Sequence, residues 1–108
     1  MIILMSDTYM YDRSTDKTDH VVTGLIGAFE TEEKAIEVWN EQLKEMGVPE
    51  ELFIDSIEDG FYGQRSYTVD MDGQYTDDID NVEFIIYIMS KKTELNKVLT
   101  NEYRESRV

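Results

Sequence analysis

Short runs of apolar residues alternate with polar stretches along this chain, and their spacing predicts where its first strands lie. Ile2 to Tyr11 is rich in β-branched and aromatic residues, which is typical of a strand, and His20 to Phe29 repeats that composition. Arg13 to Asp19, between them, is wholly polar and predicts a loop. The two strands are therefore expected to pair as a hairpin. Gly24 and Gly27 inside the second strand indicate a bulge or the close approach of another backbone.

A period of three to four residues then predicts an amphipathic helix. Thr31 is a suitable N-cap, and Gly47 followed by Pro49 supplies the end. The apolar residues between these limits share one side of the predicted helix: Ala35, Ile36, Trp39, Leu43 and Met46. Acidic residues and Lys44 occupy the other side. The pattern therefore predicts about four helical turns, with Trp39 facing a sheet.

The pattern beyond this helix predicts two more strands. Pro49 to Phe53 is typical of one helical turn, with proline at the permitted first position. Phe61 to Met71 alternates in part between apolar and polar residues and predicts the third strand. Asp72-Gly73 is a two-residue hairpin signal. Val82 to Met89 is a nearly continuous apolar run, which is typical of a central strand that is buried on both faces.

A last helix is expected near the C-terminal end, capped by Ser90 or Thr93. Its apolar stripe consists of Leu95, Val98, Leu99 and Tyr103. The predicted order of elements is therefore ββαββα. Sequential strands with segregated helices indicate an α+β two-layer sandwich, in which a mainly antiparallel sheet of about four strands carries two helices. At 108 residues the chain is expected to form a single domain, residues 1–108.

Charge is distributed unevenly along the chain. Residues 1–90 carry 21 acidic and 5 basic side chains, whereas residues 91–108 carry 3 acidic and 5 basic ones. A body this acidic repels phosphates and anionic lipids, so neither a nucleic acid nor a membrane surface is expected as a direct partner. The chain has no cysteine, and no apolar run approaches the roughly 20 residues that a membrane-spanning helix needs. A cytoplasmic location is therefore expected.

Patterns for catalysis and metal binding are weak. His20 is the only histidine, and the chain has no glycine-rich phosphate loop and no G-x-S-x-G motif. The acidic stretch that starts at Asp70 fails as a calcium loop, because Tyr75 stands at position 6, where that loop needs glycine. A hairpin turn beside an acidic loop is the better interpretation, and an adventitious divalent-ion site is the alternative. No enzymatic activity, resident metal or cofactor is expected.

Several aromatic residues have the chemistry of a stacking platform for single-stranded nucleic acid. They are Tyr9, Tyr11, Phe61, Tyr62, Tyr67, Tyr75 and Tyr87. Such a platform needs a basic groove, but Arg65 is the only basic residue between Lys44 and Lys91. Core and sheet packing is therefore the expected role, with some tyrosines beside carboxylates in a protein interface.

The carboxylates themselves suggest a binding surface. One set forms rows on the first helix at steps of three and four: Glu30, Glu33, Glu37, Glu41 and Glu45. A second set follows the third strand: Asp70, Asp72, Asp77, Asp78, Asp80 and Glu83. If both sets lie on one side, they imitate the phosphates of a nucleic acid and bind a basic protein by electrostatic complementarity. The alternative is a solvated acidic face that only keeps the protein soluble.

The segment from Gly27 to Ala35 reads G-A-F-E-T-E-E-K-A. It resembles the strand-to-helix junction of small uncharacterised domains of bacteria and their phages, in which a G-x-[FY]-x-[ST]-x-E-x-A stretch joins a strand to an amphipathic helix. The resemblance covers about residues 25–43. It implies no activity, but it favours a small accessory protein of the kind that phages carry.

The function expected from the sequence is that of a small acidic protein-binding module. It would be a phage-type accessory or inhibitor protein whose carboxylate-rich surface engages a basic, nucleic-acid-binding partner. The alternative is a structural or housekeeping α+β domain whose acidity is incidental and whose interface is apolar. In that second case a homodimer is expected.

Overall fold

The computed structural model describes residues 1–57 and 64–92, whose strands form one four-stranded sheet. The elements of these residues, in chain order, are β1 (Ile2–Asp12), β2 (Lys17–Phe29), α1 (Glu32–Glu45), β3 (Gln64–Val69) and β4 (Phe84–Lys92). The strand order across the sheet is β2-β1-β4-β3, and every neighbouring pair is antiparallel. Short 3-10 turns lie at Glu50–Leu52 and Ile79–Asn81. The predicted α+β class and antiparallel sheet are confirmed, and the order ββαββ is matched as far as β4.

The second predicted helix lies outside the described residues, because its stripe falls within residues 93–108. Its proposed cap at Ser90 is wrong, since Ser90 lies inside β4 and is buried. β4 continues to Lys92 because it pairs with the beginning of β1, where Leu4 faces Ser90 and Ile2 faces Lys92. Backbone pairing with a neighbouring strand therefore extends β4 beyond its apolar run.

The first hairpin is longer than predicted. Asp12 pairs with Lys17, so the polar residues 17–19 belong to β2 and the loop shortens to residues 13–16. The register shifts twice along this pair, between Leu4 and Met5 and again between Thr8 and Tyr9. The unpaired residues on β2 are Val21 and Ile26, so the strand has bulges; Gly27 flanks one of them, whereas Gly24 is paired in register with Ser6.

The predicted helix is confirmed at both ends. The Thr31 side chain accepts a hydrogen bond from the Lys34 backbone N–H at 3.2 Å, as an N-cap does. After the last turn, Gly47 has a positive φ of 74°. Its N–H bonds to the Lys44 carbonyl at 3.0 Å, and the Val48 N–H bonds to the Leu43 carbonyl at 2.9 Å. This double pattern is a Schellman motif, which satisfies carbonyls that the helix end leaves free.

The core lies between α1 and one face of the sheet. Trp39, Leu43 and Ala35 form the buried side of the helix. They pack with buried residues of the strands and of the segment that follows the helix: Ile2, Leu4, Val48, Ile57, Tyr67 and Ile88. The predicted contact of Trp39 with the sheet is thus present. We call this covered side of the sheet the helix face.

β4 is not buried on both faces, contrary to the prediction from its apolar run. Ile88 and Ser90 point to the helix face and are buried, whereas Ile85, Tyr87 and Met89 alternate with them and are only half-buried. The reason is that α1 and the segment that follows it cover a single face. A continuous apolar run therefore shows that the residues are apolar, but it does not show whether other elements cover one face of the strand or both.

The Asp72-Gly73 turn is wider than a two-residue hairpin. The Asp70 N–H bonds to the Gln74 carbonyl at 2.8 Å, and Val69 and Tyr75 form an isolated bridge. The Thr76 N–H donates one further hydrogen bond to the Thr68 carbonyl, after which the chain leaves β3 and leads to the second 3-10 turn. The predicted change of direction is present, but residues 74–76 form an isolated bridge with β3 and not a strand of their own.

Candidate interaction surfaces

The acidic row on α1 lies on the exposed side of the helix. Four of its members step by four residues and are all exposed: Glu33, Glu37, Glu41 and Glu45. They lie opposite Trp39 and Leu43, so the packing of the core turns them outwards. Two lysines interrupt this side, and the Lys34 ammonium lies 3.4 Å from a Glu37 carboxylate oxygen. The row spans about 18 Å along the helix axis.

Glu30 precedes the helix and is also exposed, at the end of β2. The fold brings the other end of the row close to the second acidic set. The Gln74 side-chain amide donates to the Glu45 carbonyl at 3.3 Å, and the Tyr75 N–H donates to the Met46 carbonyl at 2.7 Å. The turn that holds Asp72 is therefore attached to the C-terminal end of α1. We call the helix row together with this turn the acidic edge.

Some predicted site residues have structural roles in their own loops. The Asp70 carboxylate accepts the backbone N–H groups of Asp72 and Gln74 at 2.9 and 3.0 Å. The Asp78 carboxylate caps the second 3-10 turn by accepting from the Asp80 N–H and from the Asn81 amide, each at 3.1 Å. These bonds satisfy backbone donors at turns and hold the loop shape.

Glu83 is half-buried and lies 3.6 Å from the Arg13 guanidinium, so it ties the hairpin loop to the start of β4. The remaining predicted residues are exposed, and their side chains have no hydrogen bond or ion pair with another described residue. They are Glu30, Glu33, Glu41, Glu45, Asp72, Asp77 and Asp80. These free carboxylates are the part of the predicted site that is available to a partner.

A second surface was not predicted: the face of the sheet that points away from α1. Its large side chains alternate with the core residues along the strands, and none of them is buried. They are Ile3, Met5, Tyr9, Leu25, Ile85, Tyr87 and Met89. We call this side the open face. The signal was present in the sequence, because Ile3, Met5 and Tyr9 occupy every second position of β1 except that of Asp7.

A polar cluster lies in the middle of the open face. The Nε2 atom of His20 is 2.9 Å from the Thr23 hydroxyl and 3.3 Å from an Asp7 carboxylate oxygen. The Thr23 hydroxyl donates to the same Asp7 oxygen. Tyr9 contacts the His20 ring edge to face, with ring centres 5.2 Å apart, and contacts Tyr87 in the same way at 5.5 Å. These contacts order the aromatic side chains of the face.

This cluster does not have the geometry of a catalytic triad. A triad needs one ring nitrogen to face the nucleophile and the other to face the carboxylate. Here the same nitrogen, His20 Nε2, contacts both the Thr23 hydroxyl and the Asp7 carboxylate. The arrangement therefore cannot relay a proton from Thr23 through the ring to Asp7. It forms a hydrogen-bonded polar cluster within an apolar surface.

A cleft of about 420 Å³ separates the chain segment after the first 3-10 turn from β3. The residues that line it include Arg65, Tyr67, Tyr75 and Asp55.

Within residues 1–57 and 64–92, no group of three histidine, aspartate or glutamate side chains is placed to hold a metal ion. No helix in that same part of the chain combines the length and the apolar character needed to cross a membrane. No known protein family, curated protein or solved structure matches this chain.

Proposed function

We propose that this protein is a small binding module whose acidic edge engages a basic, nucleic-acid-binding protein. The observation that carries the proposal is the row of exposed carboxylates from Glu33 to Glu45 on α1, whose C-terminal end is attached to the turn that holds Asp72. Successive members of the helix row rise by about 6 Å, so they present negative charge at regular intervals, as a nucleic-acid strand does. Arginine and lysine side chains in a cleft shaped for phosphates are complementary to such a row.

Three of the predicted site residues are proposed to shape the surface, and four others to contact the partner. Asp70, Asp78 and Glu83 hold loops and ion pairs, and we assign them to shaping the edge. Glu33, Glu41 and Glu45 with Asp72 are then the contact residues. A phage-type accessory or inhibitor role in the cytoplasm is part of the same proposal. No catalytic step is included in it.

The test compares two variants that change the net charge equally. In the edge variant, Glu33, Glu37, Glu41 and Glu45 are replaced by lysine. In the control variant, four exposed carboxylates outside the acidic edge are replaced by lysine: Asp19, Glu50, Glu51 and Asp55. Opposing helix-dipole effects at Glu33 and Glu45 largely cancel, so the edge variant is expected to keep the fold, which circular dichroism checks.

Binding is measured by capture from bacterial lysate on the immobilised protein at about 50 mM and about 500 mM salt. We expect the wild-type protein and the control variant to retain a basic protein at low salt, and double-stranded DNA to displace it by competing for the same cleft. The edge variant is expected to retain none. Equal loss in both variants would show that only net charge matters, and retention by the edge variant would exclude the acidic edge as the contact surface.

A further inference from the structure

The open face is lined by seven large apolar or aromatic side chains, of which six are half-buried and one, Leu25, is exposed. Leu25 is 70% exposed on the edge strand β2, beside Met5, which is paired with both Leu25 and Met89. Tyr9 and Tyr87 extend the apolar area towards the start of β4. Contiguous apolar patches of several hundred Å² on a soluble protein mark interaction sites.

The open face also carries little negative charge. Asp7 is its single carboxylate among the strand residues described, and that carboxylate already accepts from Thr23 and lies beside His20. At the rim, Lys91 lies at one end and the Arg13–Glu83 ion pair lies near the other. A protein with a net charge of −14 can approach a copy of itself most closely where carboxylates are fewest.

The size of the face suits a homodimer. Four strands spaced by about 4.8 Å, with nine residues rising by about 3.3 Å each, give a flat area of roughly 550 Å². The accessible area of a surface formed by side chains is larger than its flat projection. Specific interfaces bury about 800 Å² on each partner, with a lower limit near 600 Å². The open face therefore lies at the lower end of the range for a specific dimer.

We propose that a second copy of this chain packs on the open face, sheet against sheet, about a two-fold axis. Sheets packed in this way lie about 10 Å apart, and their side chains interdigitate. The Tyr9–Tyr87 pair on the two central strands forms the middle of the contact, and Leu25 extends it onto the edge strand β2. The hydrogen bonds of Asp7 are already satisfied before the contact closes. The two α1 helices then lie on the outer sides of the dimer, so both acidic edges stay exposed.

The first test is the oligomeric state of the full chain, measured by sedimentation velocity from about 1 μM to about 500 μM at about 50 mM and about 500 mM salt. We expect a monomer–dimer equilibrium that salt strengthens, because screening weakens the repulsion between two acidic bodies. Salt acts in the opposite direction on the complex with a basic protein proposed above, so each proposal can fail without the other. A monomer at every concentration and both salt levels would overturn the dimer and leave the face to another partner or to residues 93–108.

The second test locates the interface with a matched pair of substitutions. Leu25→Glu places a charge on the part of the open face that β2 forms, whereas Met71→Glu makes a similar change at a residue that is 76% exposed on the turn after β3. Both side chains are exposed, so neither change disturbs the core. We expect Leu25→Glu to raise the dimer dissociation constant at least 10-fold and Met71→Glu to leave it unchanged. An equal response of the two variants would contradict the assignment to the open face.

Discussion

The indole N–H of Trp39 donates a hydrogen bond to the phenolic oxygen of Tyr67 at 3.2 Å, inside the core. The two side chains are 2% and 5% exposed, so the bond is buried. Trp39 belongs to α1 and Tyr67 to the edge strand β3, and their bond joins the two layers across 28 residues of sequence. A buried indole N–H needs an acceptor, and Tyr67 supplies it.

Tyr67→Phe removes this acceptor while keeping the ring. We expect the free energy of unfolding to fall by about 1–3 kcal/mol, because the Trp39 N–H is left buried without a partner. Urea denaturation followed by tryptophan fluorescence measures the change. Tyr75→Phe is the matched control, since the Tyr75 hydroxyl has no hydrogen-bond partner among the described residues, and we expect it to change stability by less than about 0.5 kcal/mol. Equal stability of the Tyr67→Phe variant and the wild type would show that the bond contributes nothing.

Alkaline pH tests the same tyrosine in a different way. Burial raises the pKa of Tyr67 above its ordinary value of 10.0, and this effect outweighs the lowering by the Trp39 hydrogen bond and by nearby Arg65. The folded state therefore favours the neutral phenol. Its contribution to stability is complete below pH 10 and is lost as the pH rises through the higher pKa of the folded state.

We therefore expect the wild type to lose stability more steeply than Tyr67→Phe as the pH rises above 10.0, as measured by urea denaturation at each pH. The pKa of Tyr11 is also raised, chiefly by its hydrogen bond to Asp16, but Tyr11 is present in both proteins and its effect cancels. Parallel pH profiles of the two proteins would contradict the assignment to Tyr67.

Local features of the fold could be predicted from the sequence because their causes are local. The Thr31 cap, the apolar side of α1 and the Gly47 end depend on residues within a few positions of one another. The same is true of the exposed row from Glu33 to Glu45, which follows once the helix and its buried side are fixed.

The remaining features depend on contacts between distant segments. Whether both faces of β4 are covered depends on what packs above and below it, and a run such as Phe84 to Met89 carries no such information. His20 and Asp7 meet only because β1 and β2 pair in one particular register, with two bulges between the strand ends. The roles of Asp70 and Asp78 are local, but they depend on the conformation of the turn, because an aspartate can either cap a turn or remain free.

Asn40 fixes the segment that lines the cleft. Its amide donates to the Ile54 carbonyl at 2.9 Å, and its carbonyl oxygen accepts the Ile54 N–H, also at 2.9 Å. We expect Asn40→Ala to lower the free energy of unfolding by about 2 kcal/mol, since two part-buried hydrogen bonds are lost together. Gln42→Ala, at another half-buried helix position, is the control and is expected to cost under about 0.5 kcal/mol. Denaturation curves that shift equally for both variants would show that the two Asn40–Ile54 hydrogen bonds contribute no more to stability than an ordinary helix side chain.

Gly47 and Gly73 provide a matched pair for backbone strain, because their φ angles are 74° and 77°. Alanine at either position is expected to cost about 1 kcal/mol, since a side chain disfavours this region of φ. At Gly73 a new Cβ meets no atom within 4 Å, whereas at Gly47 it lies 3.0 Å from the side-chain oxygen of Gln74. Gly47→Ala should therefore lose more stability than Gly73→Ala, and the excess should disappear in a Gln74→Ala background, because the crowding side chain is then absent. Thermal and urea denaturation of the four variants measure this, and a larger loss for Gly73→Ala would show that crowding by Gln74 is not the cause.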